Sequence, residues 1–445
     1  MLSHEDNELI CRVGRDTPGG QLMRHYWMPF ALASELPGPD CDPLEVRLLG
    51  EDLVAFRDSA GRPGLLGALC PHRRAPLFYG RNEEGGLRCV YHGWKFDVDG
   101  ACMEMPNEDG FTPPGRIRQP AYPVVEHGRV LWTWLGAGAG EGKAPPFPEF
   151  GFVGVPDAQV AVIKVYQEMN WLQGLEGVID PSHVPFLHGA ANAAAHAEAV
   201  AALKSERIAA NYWATSGWHY EVDATDHRVV MGTWRQSDEV TNFWRINVFL
   251  LPFYAMGPVR TGPSPVANLH CRVPVDDHNH LVYSITWHPS RALTDEEIAF
   301  NEQVYGVNLG YEPGRPDEPG SQWLTKANRS TRYLMDRQLQ RTKSYTGIPV
   351  IAAQDQAVTE GMGRIVDRTA EHLTKADLGI ATVRRVFLRA AKALRDTGQV
   401  PPGSQGGPAY MVRALSKLLP AAADDWPENL RPFFTYDPDN NPPQP

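Results

Sequence analysis

Two short segments early in the chain carry residues of the types and spacing that hold metals. The sequence reads Leu69-Cys70-Pro71-His72-Arg73 and then, with sixteen residues between His72 and Cys89, Cys89-Val90-Tyr91-His92-Gly93-Trp94. Each loop offers one thiolate and one imidazole. Zinc accepts the same ligands, but its usual units pair Cys with Cys and His with His. Mixed pairs suit a [2Fe-2S] cluster in which one iron keeps two thiolates and the other takes two imidazoles, an arrangement that raises the reduction potential. Cys11, Cys41, Cys102 and Cys271 have no matching partners and read as ordinary thiols.

A second constellation lies between Asn170 and His188. His183 and His188 are five residues apart, which on a continuous helix of ~3.6 residues per turn sets them about 140° from one another. A shared centre needs an interruption, and Pro185, lacking the N–H that would continue the ladder, predicts one between them. Two imidazoles and a carboxylate form the facial triad that holds Fe(II) with positions left open for oxygen. The carboxylate is found by helix arithmetic. Ile351, Val358, Met362 and Ile365 recur at near-helical spacing and predict a buried stripe. Asp355 falls on that stripe, and a buried carboxylate is costly unless paired or metal-bound, so Asp355 is the predicted third ligand. Glu360 and Asp367 fall off it and are predicted to be solvated. Asp180 precedes His183 by three residues. Asp180-Pro181 reads as an N-cap followed by Pro at the first helical position; the same carboxylate is also placed to hold an imidazole N–H. His196, His219, His270 and His288 have no paired spacing and read as structural or surface residues.

These residues need elements to position them. Upstream, short runs rich in Val, Leu and aromatics at 44–49, 53–57, 87–91, 94–98 and 129–135 read as a small β domain. Composition collapses to Gly, Ala and Pro over 136–146, which marks a junction. Downstream, strands are predicted at 160–166, 212–222, 229–235, 242–251, 267–273 and 280–288, bracketed by helices at 170–180, 350–362 and 375–396. The expected class is α+β: a small all-β domain plus a larger domain with an antiparallel sheet flanked by helices. The expected divisions are an N-terminal helical segment (1–25), the cluster domain (26–140), the mononuclear metal domain (141–435) and a disordered tail (436–445). The alanine-rich stretch 189–203 reads as a helix or a mobile lid. The 445 residues carry 42 Lys+Arg against 53 Asp+Glu, a net charge of -11, which disfavours nucleic acid and anionic membrane. No apolar run reaches the ~20 residues of a membrane span. The start, Met1 to Asn7, lacks a basic cluster and apolar core, so a cytoplasmic location is expected.

Taken together, the motifs resemble the Rieske non-haem iron oxygenases, within them the large oxygenase subunit of the phthalate 4,5-dioxygenase type. The resemblance rests on 70–73, 89–96, Gly174-Leu175-Glu176-Gly177-Val178-Ile179-Asp180-Pro181-Ser182-His183 with His188, Gln354-Asp355-Gln356, and 362–369. It implies a Rieske [2Fe-2S] cluster, a mononuclear Fe(II), and an aromatic substrate oxidised with O2. It also implies a separate NAD(P)H-dependent reductase carrying flavin and an iron–sulfur centre, which fits the lack of a dinucleotide-binding fingerprint in this chain. A homotrimer or hexamer is implied, with Asp180 bridging His183 to His92 of the next chain. Aryl carboxylates of the phthalate/benzoate class lead among substrates, with Arg207 and Arg245 as candidate anions' partners and Phe249 and Phe253 as candidate aromatic lining. O-demethylation and aryl-ether or aryl-sulfonate oxygenation are alternatives within the family. A Rieske electron carrier without oxygenase activity and a zinc-stabilised interaction module are alternatives of other classes.

Overall fold

The computed structural model describes residues 2–108, 117–136, 143–192, 194–195, 197, 211–258, 266–407, 410–421, 426–428 and 430–435. Arg207, most of the alanine-rich stretch and the tail 436–445 lie outside the described residues. Two short helices, His4–Cys11 and Pro18–Arg24, open the chain, each capped by a hydroxyl: Ser3 accepts from the Asp6 N–H and Thr17 from the Gly20 N–H.

The β-rich region that follows comprises three small antiparallel sheets. Leu44–Leu48, Glu51–Arg57, Pro63–Gly67 and Ala121–Tyr122 form one; Arg81–Glu83, Gly86–Arg88, Lys95–Phe96 and Cys102–Glu104 form a second. Val54, Phe56, Leu66, Leu77, Leu87 and Phe96 pack between them, with Cys70 and Cys89 in the same cluster. The third sheet, Trp27–Leu32, Val130–Trp134 and Val124–His127, packs instead into the core of the larger region, where Trp132 stacks on Phe150 and Phe152.

The larger region is built on an eight-stranded antiparallel sheet. His280–Trp287 lies between Val160–Gln167 and Ala267–Pro274, and the long strand Thr241–Leu250 lies between Arg228–Gln236 on one side and two short strands on the other. Those two, Tyr254–Met256 and Leu415–Pro420, share one edge of the long strand. Neither strand is expected from the sequence, because three residues, or six ending on Pro420, give no period to detect. The expected strand at 212–222 begins only at His219; 211–212 are helical. Helices Trp171–Ile179, Ile351–Gly361 and Leu378–Thr397 match the three expected, and Asp295–Tyr305 is among those not expected, its N-terminus held by a capping box between Thr294 and Glu297. Among the described residues, no helix is long and apolar enough to cross a membrane.

Candidate active site

The two Cys/His loops have one backbone design. In each, the Cys carbonyl accepts from the N–H four residues on (Arg74, Gly93), and the Cys N–H donates to the carbonyl five residues on (Ala75, Trp94), at 2.8–2.9 Å. The closing residue has positive φ in both loops, 60° at Arg74 and 79° at Gly93. At Gly93 a Cβ would also stand 2.5 Å from the Pro106 ring, so only glycine fits. The result turns both thiols inward and leaves both imidazoles half-buried, His72 and His92 edge-to-face with centroids 4.4 Å apart. His72 stacks flat on Trp94 at 4.5 Å. Burial pushes the Cys70 thiol up to about 11, and the adjacent Cys89 adds to the rise. Two buried thiols side by side, with two imidazoles at the rim, are the donor set of a mixed-ligand [2Fe-2S] cluster.

The second site is assembled from two helices and the turn between them. Trp171–Ile179 starts at Asn170, whose side chain accepts from the Leu172 N–H while its amide donates to the Cys11 and Asp277 carbonyls. Asp180 ends this helix as its C-cap. It does not cap the next one, so the N-cap expectation is corrected. Its Oδ1 accepts from the backbone and hydroxyl of Ser182 at 2.7 and 2.6 Å. Its Oδ2 accepts from His183 Nδ1 at 3.2 Å. The break expected at Pro185 is absent: the Leu187 N–H donates to the His183 carbonyl and the His188 N–H to the Val184 carbonyl, so one helical turn runs from the first histidine to the second. Pro185 sits in the first turn of Val184–Leu187, where its missing N–H costs nothing, and His183 and His188 flank that turn as its two caps.

Asp355 completes the group. His183 Nε2 and His188 Nε2 are 3.2 Å apart, and they lie 3.4 and 3.5 Å from Asp355 Oδ1 and Oδ2. Metal bonds of about 2.1 Å would set ligand atoms about 3.0–3.4 Å apart, between right-angled and tetrahedral geometry. Both Nδ1 atoms are engaged on the far sides of the rings, by Asp180 and by Gln354 at 2.8 Å. With both Nδ1–H donating, two Nε2 lone pairs and a carboxylate converge on one point, which is stable only around a cation. These three form a group able to hold a metal ion, their ligand atoms all within 4.8 Å of one another. Burial opposes ionisation of Asp355, but His188, His183 and Arg272 outweigh it and hold the carboxyl below its usual range.

The helical face that carries Asp355 is not the buried stripe expected. Ile351, Val358 and Met362 are not buried; they are 41%, 45% and 54% exposed. Glu360, expected to be solvated, is fully buried. Its carboxylate accepts from the Glu168 N–H, the Gln356 amide and the Tyr333 hydroxyl. Two of these partners, Glu168 and Tyr333, come from other segments, so helix periodicity could not reveal its burial.

A cavity of about 410 Å³ opens beside the triad. Its helical walls are apolar (Val178, Val184, Ile351, Val304), whereas its floor is the face of the large sheet, carrying Arg245, Asn247, Asn268, His270, Arg272, Ser284 and Thr286. Registry explains the clustering: His270 stands opposite Ser284 and Asn268 opposite Thr286. Arg245 is 4% exposed and lies over the Tyr212 ring at 4.6 Å. Its Nε and Nη1 have no hydrogen-bond partner among the described residues. Phe249 and Phe253 are wholly buried in the main core and do not line the cavity, which corrects that expectation. His270 is also more than a bystander: it lines the cavity, contacts the Tyr305 hydroxyl at 2.9 Å and Asn268 at 3.1 Å, and is lowered to about 3 by burial and then by Arg272. Lone polar residues alternating along a strand look like a solvated face, so the sequence carries no signal for this floor.

Comparison with known proteins follows the same division. Residues 26–123 match the Rieske [2Fe-2S] domain, and residues 133–429 match the family described as LigXa C-terminal domain like. The chain is 36% identical to the 3-chlorobenzoate-3,4-dioxygenase oxygenase subunit of Comamonas testosteroni, over 96% of this chain and 97% of that one. It is 33% identical to the phthalate 4,5-dioxygenase oxygenase subunit of Pseudomonas putida (89% and 87%). A 5,5'-dehydrodivanillate O-demethylase oxygenase subunit from Sphingobium is 32% identical (94% and 86%). Among solved structures, dicamba monooxygenase bound to dicamba shares the fold at 18% identity and a TM-score of 0.56, covering 84% of this chain and 99% of that one.

Proposed function

The chain belongs to the Rieske non-haem iron oxygenases, and from that premise we propose that it is a terminal oxygenase component acting on an aryl carboxylate. Its cofactors are a Rieske [2Fe-2S] cluster and a mononuclear iron. In this reading Cys70, His72, Cys89 and His92 hold the cluster, and His183, His188 and Asp355 hold the iron. When bound, the cluster supplies single electrons and the iron supplies the site where dioxygen is activated.

The residues around the triad have separable tasks. Asp180 fixes the tautomer of His183, so that its Nε2 faces the metal. Val178, Val184 and Ile351 line the cavity beside the triad with apolar surface. Arg245 offers the substrate carboxylate its guanidinium, whose Nε and Nη1 are unpaired among the described residues; this is the observation that carries the substrate class. A second reading, oxidative O-demethylation of a methoxylated aryl acid, is supported by the 32% identity to the 5,5'-dehydrodivanillate O-demethylase oxygenase subunit.

Electrons would come from a separate NAD(P)H-dependent reductase, and the subunits would assemble head to tail as a trimer or stacked hexamer. Tyr79, Val90 and Tyr91 stand 54–67% exposed around the cluster loops, and Phe186, Tyr345, Ile351, Val358 and Met362 stand 41–55% exposed around the triad. Two such patches on one chain suit a heterologous contact between copies. The test is a panel of aryl carboxylates, methoxylated aryl acids, aryl ethers and neutral aromatics, assayed for coupled NADH and oxygen consumption with a surrogate reductase. Turnover of aryl carboxylates with hydroxylated product is expected; formaldehyde release from the methoxylated acids would favour the second reading. A protein with two irons per chain and no oxygen uptake with any member would refute the oxygenase assignment.

A further inference from the structure

Gln354 has no assigned role, yet it stands between two of the three residues read above as iron ligands. It is the covalent neighbour of Asp355, and its Oε1 accepts from His188 Nδ1 at 2.8 Å. Its amide cannot turn round, because Nε2 donates to the Ile348 carbonyl at 2.7 Å. That second bond settles the first: the oxygen must face His188, so Nδ1 carries the proton and Nε2 presents its lone pair to the metal.

Successive helical residues point about 100° apart, so 354, 355 and 356 face three directions. Asp355 faces the triad. Gln356 donates to Glu360, which is buried against the Glu168 N–H and the Tyr333 hydroxyl. Gln354 faces His188. The roll of the helix Ile351–Gly361 is therefore held on one side by a buried carboxylate and tied on the other to a ligand from a distant segment. The two histidines also differ. His183 donates to the carboxylate of Asp180 from its own loop, whereas His188 donates to a neutral amide carried by the helix that brings Asp355.

We propose that Gln354 is a positioning residue that locks the His188 ring and its tautomer to the Asp355 helix, so that these two ligands keep one geometry. The proposal rests on the ligand assignment made above. Loss of a hydrogen-bond partner to a ligating imidazole typically weakens metal binding about ten- to a hundredfold.

The test uses the full chain with its cluster oxidised, the mononuclear iron removed by chelation, and Co(II) as the probe. Dissociation constants come from equilibrium dialysis, and site geometry from the Co(II) EPR signal. Gln354→Leu removes both hydrogen bonds. Gln354→Glu keeps the acceptor for His188 and removes the donor to Ile348. The expected result is a ten- to hundredfold weaker Co(II) dissociation constant with an altered EPR signal in Gln354→Leu, near wild-type affinity in Gln354→Glu, and an unchanged Rieske spectrum in both. Should the leucine variant not accumulate, Gln354→Asn, too short to span both partners, is expected to show the same loss. Wild-type affinity and EPR signal in Gln354→Leu would overturn the proposal. Equal weakening in the leucine and glutamate variants would overturn it too, by assigning the effect to the Ile348 bond. Failure of the wild-type protein to bind Co(II) would refute the ligand assignment itself, and the proposal with it.

Discussion

Asp180 uses its two carboxylate oxygens differently: Oδ1 is consumed by Ser182, while Oδ2 meets His183 and remains near a surface that leaves the side chain 20% exposed. In the head-to-tail assembly proposed above, that surface would receive His92 of the partner subunit. Asp180→Asn preserves size but replaces an anion by an amide that must offer one oxygen and one NH2. Normal iron content and a normal Rieske spectrum are expected, with much slower oxidation of the reduced cluster when oxygen and substrate are added. Stopped-flow decay at the wild-type rate would remove Asp180 from the electron route. Arg245 makes a second prediction at this scale. Losing a charge-assisted bond costs about 1.5–3 kcal/mol, so Arg245→Ala should raise KM for an aryl carboxylate roughly ten- to a hundredfold and leave a neutral analogue little changed. Equal effects on both substrates would assign Arg245 to packing, through its contact with Tyr212.

The helix Trp171–Ile179 that delivers Asp180 and His183 is fastened from behind by a buried charge network. Glu176 accepts from Arg368 at 3.0 Å and from Arg384 at 2.7 Å, whose side chains are 0% and 3% exposed. Arg384 continues to Glu371, and Arg368 to Asn7 and Cys11, so the network ties together the N-terminal helix, this helix and Leu378–Thr397. Burial alone would raise the Glu176 carboxyl, but the two arginines outweigh it and hold it below its ordinary value of 4.5. Its stabilising contribution is thus complete above that value and is lost as pH falls through the lower, folded-state value. Glu176→Gln leaves the buried Arg368 guanidinium without an anionic partner, while Arg384 keeps Glu371, and should cost about 3–5 kcal/mol at pH 7. In urea denaturation followed by tryptophan fluorescence, the gap from wild type should shrink toward pH 3; a gap independent of pH would contradict the assignment. At this scale the sequence was legible where covalent spacing or period carries the information. The cluster loops are short enough for C-x-H and C-x-x-H to define them, and strands of eight to ten residues announce themselves. Glu176, Glu360 and the polar cavity floor were not legible, because their partners come from segments whose approach is set only by the packed sheet.

Across the whole molecule the misread stripe acquires a meaning. Ile351, Val358 and Met362 share the helical face of Asp355 and are about half exposed in the single chain. Apolar residues so arranged around a functional group mark a contact surface. Tyr79, Val90 and Tyr91 form the corresponding surface beside the cluster loops. In the assembly proposed above the two patches differ, so a contact between them would be heterologous and would close into a ring where the rotation permits. In such a ring the cluster serving each triad belongs to a neighbour. Complementation tests this directly. Cys89→Ala should lack the cluster and its colour but keep the triad, and Asp355→Ala should keep the cluster but lack iron at the triad; each alone should be inactive. Co-expressed at equal levels, the two chains mix at random, and about one quarter of the contacts join a cluster-bearing subunit to a triad-bearing one. Activity near that fraction of wild type is expected from purified mixed oligomers. If the electron instead travels within one chain, no mixed oligomer contains a competent pair and activity stays at zero. Val358→Glu with Met362→Glu supplies the converse, placing charge on the contact face without touching a ligand. That variant should sediment as a monomer, retain the Rieske spectrum and both kinds of iron, and oxidise its reduced cluster as slowly as Asp180→Asn. An intact oligomer, or wild-type cluster decay in the monomer, would refute the ring.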